Sequence, residues 1–593
     1  VGHIALLLAA GVAADLVEPE DGCGSEERVA LLQLHDGTAA KTTWRKSHYG
    51  NAGDYYDLRT WRKGGILYYP WMFSKTLPHD PETGFPTKKH VDRVLAAEKE
   101  PTSSNLDAIV LSDSEHRVRK LEGLTNSRSS SDMGDPPENV LVCPYFYPIE
   151  SSESAFEMAE VYGMALLRDV PFAEYGTNPT VQMLLRNLNK FPSKTSAPTV
   201  SGSITAKTLF RGPGPGEDVG PYISQFLYKS YNYGAMPIEQ MYNENLDPTN
   251  MLDMIGWLAV QNGEDPGSVV TKRKAYAASG RVLGSIVHRD PAYQCYYAAA
   301  LIALQQGIET EGYRTNQIST AWMTTGPPDL FTSVAHVAAG ALRTAWLQKW
   351  GITMRIRPEV FAQRYELARR RADLLDKRTG VPGLAELKAH IETASELLEA
   401  VLADNEARVG KETALLAVQY PEGSPTHPSL PAGHAVIAGA CVTVLKAMLR
   451  TFDDDAATVE TKWVDSSRTA VHSIDGTMLL DYTAADAREM TVNGELNKLA
   501  SNIALGRDFA GVHYRADGDG GLRVGEDYAI SFLAEKIHTY SESSKKYDLF
   551  QGWVLKKFDG SVVAITRKGV RPLRHRRGVS GRRRKRKRHS DAD

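Results

Sequence analysis

Apolar residues recur every three to four positions over eight stretches of the chain: Ala155–Arg168, Val181–Leu188, Ala275–Ile286, Ala292–Gln305, Ser333–Trp350, Leu384–Leu402, Ala435–Leu449 and Leu496–Ala510. A repeat of that period places one apolar stripe along each helix, and such stripes must bury against one another. The pattern therefore predicts an all-α fold of packed helical bundles with minor β-hairpins. One hairpin is expected at Lys556–Ile565, where KKFDGSVVAI sets an Asp-Gly turn between short apolar arms. Leu16–Glu100 mixes aromatic and turn residues and reads as irregular, and Pro101–Glu138, rich in Ser, Pro and charge, reads as a surface insertion or linker. The resulting division is an apolar leader (1–14), an irregular segment (15–100), an insertion (101–138), a helical domain (139–565) and a basic tail (566–593).

Composition changes this picture little: 593 residues, 42% hydrophobic and 24% charged, are ordinary for a globular chain with several core-forming units. Charge distribution changes it more. Thirteen Lys and Arg against two Asp from Arg567 to Asp593 give that end a surplus of 11, leaving −14 on the rest of a chain whose formal net charge is −3. Such a tail repels itself and is expected to stay disordered without a polyanion such as nucleic acid, sulfated polysaccharide or an anionic membrane. A non-enzymatic polyanion-binding role is one reading of it. Ile4–Ala14 resembles the apolar core of a secretory signal and is too short to span a bilayer. No transmembrane segment is expected, and the leader favours secretion to a cell wall or apoplast over an intracellular location. Four dispersed cysteines (Cys23, Cys143, Cys295, Cys441) exclude a disulfide framework or thiolate metal site. Cys295 and Cys441 read as buried thiols, and Cys23 with Cys143 is the pair that secretion would allow.

The candidate chemistry sits in three blocks: KWGITMRIRP (Lys349–Pro358), SPTHPSLPAGHA (Ser424–Ala435) and GRDFAGVHYRAD (Gly506–Asp517). Lys349 and Arg357 lie eight residues apart, about two helical turns, so that both can face one cavity, with Pro358 ending that stretch. A helix starting at Ala432 leaves its first amides, near Gly433 and His434, free to point at an anion. A helix ending near Ala510 and turning at Gly511 lets Arg507 and His513 reach the same point. Arginine contributes forked donors and histidine a nitrogen lone pair. The set reads as a cage for a tetrahedral oxyanion. Isolated His116, His288, His336 and His472 read as surface or satisfied core residues. The stretch ADGDGG, with Asp517, Gly518 and Asp519, resembles part of a calcium loop but lacks its ligand spacing, so a polar turn is expected there.

In this order the blocks resemble those of the vanadium-dependent haloperoxidases, within a superfamily that includes class A acid phosphatases and lipid phosphate phosphatases. The Lys349-to-Arg357 spacing, His427 seven residues before His434, LFRGPGPGEDVGPYISQF (Leu209–Phe226) and HAVIAGACVTVLKA (His434–Ala447) resemble the algal bromoperoxidases in particular. The resemblance covers Asn139–Ile565 and implies two four-helix bundles with vanadate as cofactor. It implies that Lys349, Arg357, Arg507 and the Gly433 amide bond the equatorial oxygens, that His513 is the metal ligand, and that His434 takes a proton from hydrogen peroxide. Asp290 matches an aspartate that pairs with the arginine at position 507, although it could equally cap the following helix. Trp346 and His427 match the halide side of the pocket, which favours bromide or iodide over chloride. Ala432 departs from the family, which has a serine bonded to vanadate there. A lost charge-assisted hydrogen bond is worth roughly 1.5–3 kcal/mol, so weaker vanadate retention is expected. No acidic loop before Phe331 is long enough to match the divalent-ion loop of red-algal members. The implied partners are hydrogen peroxide, bromide or iodide, small organic acceptors and further copies of the chain, as a homodimer or larger homo-oligomer. Phosphate shares the shape of vanadate, so the alternative is an acid phosphatase with His513 as nucleophile.

Overall fold

The apolar stripes become helices that bury against one another in two groups. In the computed structural model the residues described are 69–112, 118–126, 143–267, 269–312, 318–376, 380–453, 456–463 and 469–573. One group packs Pro327–Leu347, Gly433–Met448, Val492–Phe509 and Arg515–Lys536 together. The other packs Ser152–Leu167, Pro179–Leu188 and Pro358–Arg370 with a bent segment, Leu384–Ile391 and Ser395–Val409, broken by a 3-10 turn at Glu392–Ala394. Val492–Phe509 also touches Ser152–Leu167, and one apolar core runs through both groups. The architecture is helical, as expected. Strands occur as short antiparallel pairs and one three-stranded sheet, in which Trp553–Lys556 and Val562–Thr566 form the expected hairpin and Gly569–Pro572 adds an edge.

The Gly433–Met448 helix lies at the centre of the first group, and every residue of it except His434 is buried. Its tightest neighbour is Arg515–Lys536, which overturns the polar turn expected at Asp517–Asp519: these residues open a 22-residue helix. The glycines are there for contact between backbones. A Cβ on Gly439 would lie 2.1 Å from the Leu522 carbonyl oxygen, and one on Gly525 would lie 2.1 Å from that of Val436. Glycine costs a helix roughly 1 kcal/mol per residue, and here close packing offsets that cost.

Three further departures have local causes. The helix expected at Ala275–Ile286 starts only at Gly280, because Thr271–Ala275 pairs as a strand with Tyr242–Asn245. Lys88–Lys99, within the stretch expected to be irregular, is a helix whose Val91, Val94 and Ala97 bury in a small core with Trp350 and Met354. Pro358–Arg370 is a helix that the apolar pattern did not mark. Cys143, Cys295 and Cys441 are buried. The Ile4–Ala14 leader, Cys23, His116 and the chain beyond residue 573 lie outside the described residues. Among the described residues, no helix is long and apolar enough to cross a membrane.

Candidate active site

A cavity of about 320 Å³ opens at the N-terminus of the Gly433–Met448 helix, and Gly433, His434, Arg507, His513, Trp346 and His427 all line it. The second and third blocks therefore meet in space, and Arg357 of the first block bonds a residue of each, His427 and Val512. His513 arrives there because Gly511, at φ +80°, reverses the chain after the Val492–Phe509 helix, a conformation only glycine adopts freely. Its Nδ1 bonds Asp517 Oδ2 at 2.9 Å, and Asp517 Oδ1 accepts from Arg355 at 2.8 Å. With the proton on Nδ1, the lone pair is on Nε2, where it accepts from Arg357 Nη1 at 2.8 Å. Burial, with Arg357, Lys349 and Arg507 close by, pushes the imidazole pKa well below its ordinary value, so His513 is held neutral.

Arg507 lines the cavity, whereas Lys349 and Arg357 lie beside it against lining residues and their neighbours, brought there by a route other than the one expected. Lys349 lies in a π-turn, Gln348–Thr353, followed by left-handed Met354 at φ 44°. Arg357 is extended and immediately precedes the Pro358–Arg370 helix, so Pro358 begins a helix instead of ending one. A chain reversal, not two turns of one helix, turns both cations inward. Lys349 Nζ donates to the Pro428 and Ser429 carbonyls at 2.8 and 2.9 Å. Arg357 donates to the carbonyls of His427 and Val512, both at 2.8 Å. Arg507 donates to the Val287 carbonyl and, at 3.4 Å, to the Tyr420 hydroxyl. Lys349, Arg357 and Arg507 are buried, yet among the described residues none pairs with a carboxylate, and Arg507 Nε has no hydrogen-bond partner. Burial and the charge of Arg357 hold the Lys349 pKa well below its ordinary value. Uncompensated buried cations are costly unless an anion joins them.

Ala432 is buried at the helix N-cap, where it makes no side-chain cap, and its N–H donates to the Asp517 carbonyl at 2.8 Å. The Gly433 amide follows it as the first of the helix. Trp346 and His427 stand side by side, ring centroids 4.9 Å apart, with Lys349 Nζ 5.7 Å from the Trp346 ring. Burial, Lys349 and Arg357 hold His427 neutral well below its ordinary pKa.

Asp290 is a correction. It bonds His434 Nε2 at 2.8 Å instead of pairing with Arg507, whose Nη1 is taken up by Val287 and Tyr420. Burial raises the Asp290 pKa, but His434 and the more distant Arg507 outweigh it, and the carboxyl stays below its ordinary value. His288 is the satisfied, largely buried histidine expected, but its place at the cavity was not foreseen. It lines the cavity, bonds Glu422 Oε1 at 2.7 Å and stacks on Tyr420 at 3.9 Å. Arg119, Glu122, Tyr420 and Glu422 also line the cavity, and only the position of His288 two residues before Asp290 hinted at this wall. His472, bonded to the Ser473 carbonyl at 3.0 Å, is a satisfied core histidine, and His336 stacks on Phe532 at 5.3 Å.

The chain is 30% identical over 521 residues to a vanadium-dependent bromoperoxidase of Ascophyllum nodosum, covering 83% of this chain and 87% of that protein. It belongs to the vanadium-dependent bromoperoxidase family. A vanadium-dependent bromoperoxidase of Corallina pilulifera is 29% identical over 75% of this chain and 80% of its own length. A sequence profile described as the VCPO second helical-bundle domain matches residues 405–540, which carry the second and third blocks. The homohexameric structure of the second vanadate-dependent bromoperoxidase of Ascophyllum nodosum superposes with a TM-score of 0.76 at 25% identity, covering 95% of this chain and 94% of that one.

Proposed function

We propose that the protein oxidises bromide with hydrogen peroxide at a vanadate held in this cavity, giving hypobromous acid that halogenates small organic acceptors. The observation that carries the proposal is the meeting of buried Lys349, Arg357 and Arg507, without a carboxylate counter-ion, beside a neutral His513 whose Nε2 carries a lone pair. Orphaned Arg507 Nε and the first amide of the Gly433–Met448 helix supply further donors, and the set fits a vanadate. Bound vanadate supplies Lewis acidity that activates peroxide without a change in metal oxidation state.

The chain's own residues do the rest. Lys349, Arg357, Arg507 and the Gly433 N–H would hold the anion's oxygens, and His513 Nε2, which Arg357 Nη1 now contacts, would be the nitrogen ligand. Asp290 accepts the Nε2 proton of His434, which leaves His434 Nδ1 as the base that receives a proton from peroxide. Trp346 and neutral His427 offer weakly hydrated halide an aromatic, uncharged wall, which favours bromide and extends to iodide. The relatives give the acid phosphatase alternative no support. We assign the protein a homo-oligomeric state, in line with the homohexameric relative, a catalytic unit of 139–565 completed by Arg119 and Glu122 from the stretch expected to be an insertion or linker, and secretion by the Ile4–Ala14 leader. The test is titration of metal-free protein with orthovanadate while a phenol dye is brominated with peroxide. Activity should rise with bound vanadium, and a folded, vanadium-loaded protein that leaves the dye unchanged would refute the proposal.

A further inference from the structure

Three cavity-lining histidines bond carboxylates, and the mechanism above uses His513, held by Asp517, and His434 but not His288. His434 bonds Asp290 at 2.8 Å, and His288 bonds Glu422 at 2.7 Å. The pairs are crossed: His288 and Asp290 come from one loop, and each reaches a partner of the opposite kind on the far wall. His288 bonds Glu422 through Nε2, and Nδ1 has no protein partner among the described residues. Its ring lies flat on Tyr420, with centroids 3.9 Å apart and planes 5° apart, and Arg507 Cζ is 5.3 Å from the same Tyr420 ring. A histidine with one nitrogen tied to a carboxylate and the other open to a reaction cavity has the arrangement of a general acid–base group.

The reaction proposed for this site needs such a group. Halide, hydrogen peroxide and one proton give hypohalous acid and water. The O–O bond breaks, an oxygen–halogen bond forms, the halide loses two electrons to peroxide, and the departing oxygen leaves as water after taking up a proton. His434 handles protons that peroxide itself brings, whereas the consumed proton must come from solvent. We infer that His288, oriented by Glu422 and Tyr420, is a second proton-transfer residue that delivers this solvent proton to the departing oxygen. Glu422 Oε1, 2.7 Å from Nε2, fixes the ring so that Nδ1 is left for the transfer. His288's neighbours are Arg289 and Asp290 on its own loop, Glu422 and Tyr420 across from it, Arg507 beyond Tyr420, and Arg119 and Lys75, which both hold the Glu422 carbonyl. The anionic partner in contact is Glu422, whose carboxyl burial would raise but His288 holds below its ordinary pKa.

The inference rests on the haloperoxidase reading, and the experiment separates the two. Wild type, His288→Gln and His288→Ala are loaded with vanadate and assayed for bromide oxidation from pH 5 to 8. Glutamine can still bond Glu422, so a merely structural role survives it. The expected result is a kcat lowered about a hundredfold in both variants at neutral pH, with vanadate affinity and KM for bromide changed less than about twofold. Added imidazole should restore His288→Ala in proportion to its protonated fraction. Wild type without activity sinks the haloperoxidase reading and this inference with it. Active wild type together with an unchanged kcat in His288→Gln, no imidazole rescue, or a loss confined to vanadate affinity overturns this inference alone.

Discussion

Restoring a hydroxyl at position 432 probes the oxyanion cage at its weakest point. Ala432 sits at the N-cap of the Gly433–Met448 helix with φ −67° and ψ 124°, from which a serine oxygen reaches the amides of the first turn. The backbone there is held, because the Ala432 N–H donates to the Asp517 carbonyl at 2.8 Å. The hydroxyl in Ala432→Ser therefore has two roles: its oxygen accepts from a helix amide, and its hydrogen donates to the bound anion. The first is worth about 0.5–2 kcal/mol of stability. The second, a hydrogen bond to a charged acceptor, is worth roughly 1.5–3 kcal/mol, or about 10- to 150-fold in Kd. Calorimetric titration of metal-free wild type and variant with orthovanadate reads the second, and melting temperature without vanadate reads the first. Both should rise. A folded variant with unchanged vanadate Kd refutes the reasoning, since the anion then does not lie at the end of this helix.

Other outcomes follow from the same geometry. His513→Ala should abolish vanadium retention, whereas His434→Ala should retain vanadium and lose about 10²–10⁴ in kcat; vanadium analysis with turnover per bound metal tells them apart, and the reverse pattern refutes the assigned roles. Asp290→Asn should lower kcat more than vanadate affinity, because Asp290 serves His434; a loss of affinity alone means that it serves Arg507 after all. Burial and neighbouring cations hold Lys349 below its ordinary pKa of 10.5, and a bound anion raises it again, so vanadate binding should take up protons on the alkaline side and weaken as pH rises towards 10.5. Calorimetry in buffers of different ionisation enthalpy near pH 9 checks this, and proton release there contradicts it. Gly439→Ala places a Cβ 2.1 Å from the Leu522 carbonyl oxygen and should destabilise by at least about 1–3 kcal/mol, read as a lowered denaturant midpoint; an unchanged midpoint means that the two helices separate easily.

Much of this was legible in the sequence, for physical reasons. Helices such as Ser152–Leu167 and Val492–Phe509 bury their apolar residues, and burial at helical spacing leaves a periodic trace. Gly511 announced its turn because few other residues take that backbone conformation. The Arg515–Lys536 helix was hidden because its glycines serve contact between backbones, and a glycine run reads as a turn until the opposing helix is known. The π-turn and left-handed Met354 between Lys349 and Arg357 have no side-chain signature, so the cations were identified but not their route. Partnerships across the cavity were the hardest to see. His288 looked isolated because Glu422 lies 134 residues away, and Asp290 found His434 through the packing of a loop against a helix start, which no spacing encodes.

The central claim is that three buried cations and the Nε2 atom of His513 hold one vanadate per chain. Vanadium K-edge absorption on the loaded protein, wild type beside His513→Ala, tests it most directly. The account requires one vanadium per chain with a nitrogen ligand in wild type, and loss of that ligand together with the bound vanadium in the variant. Vanadium bound through oxygen alone in wild type, or held unchanged by His513→Ala, would contradict it.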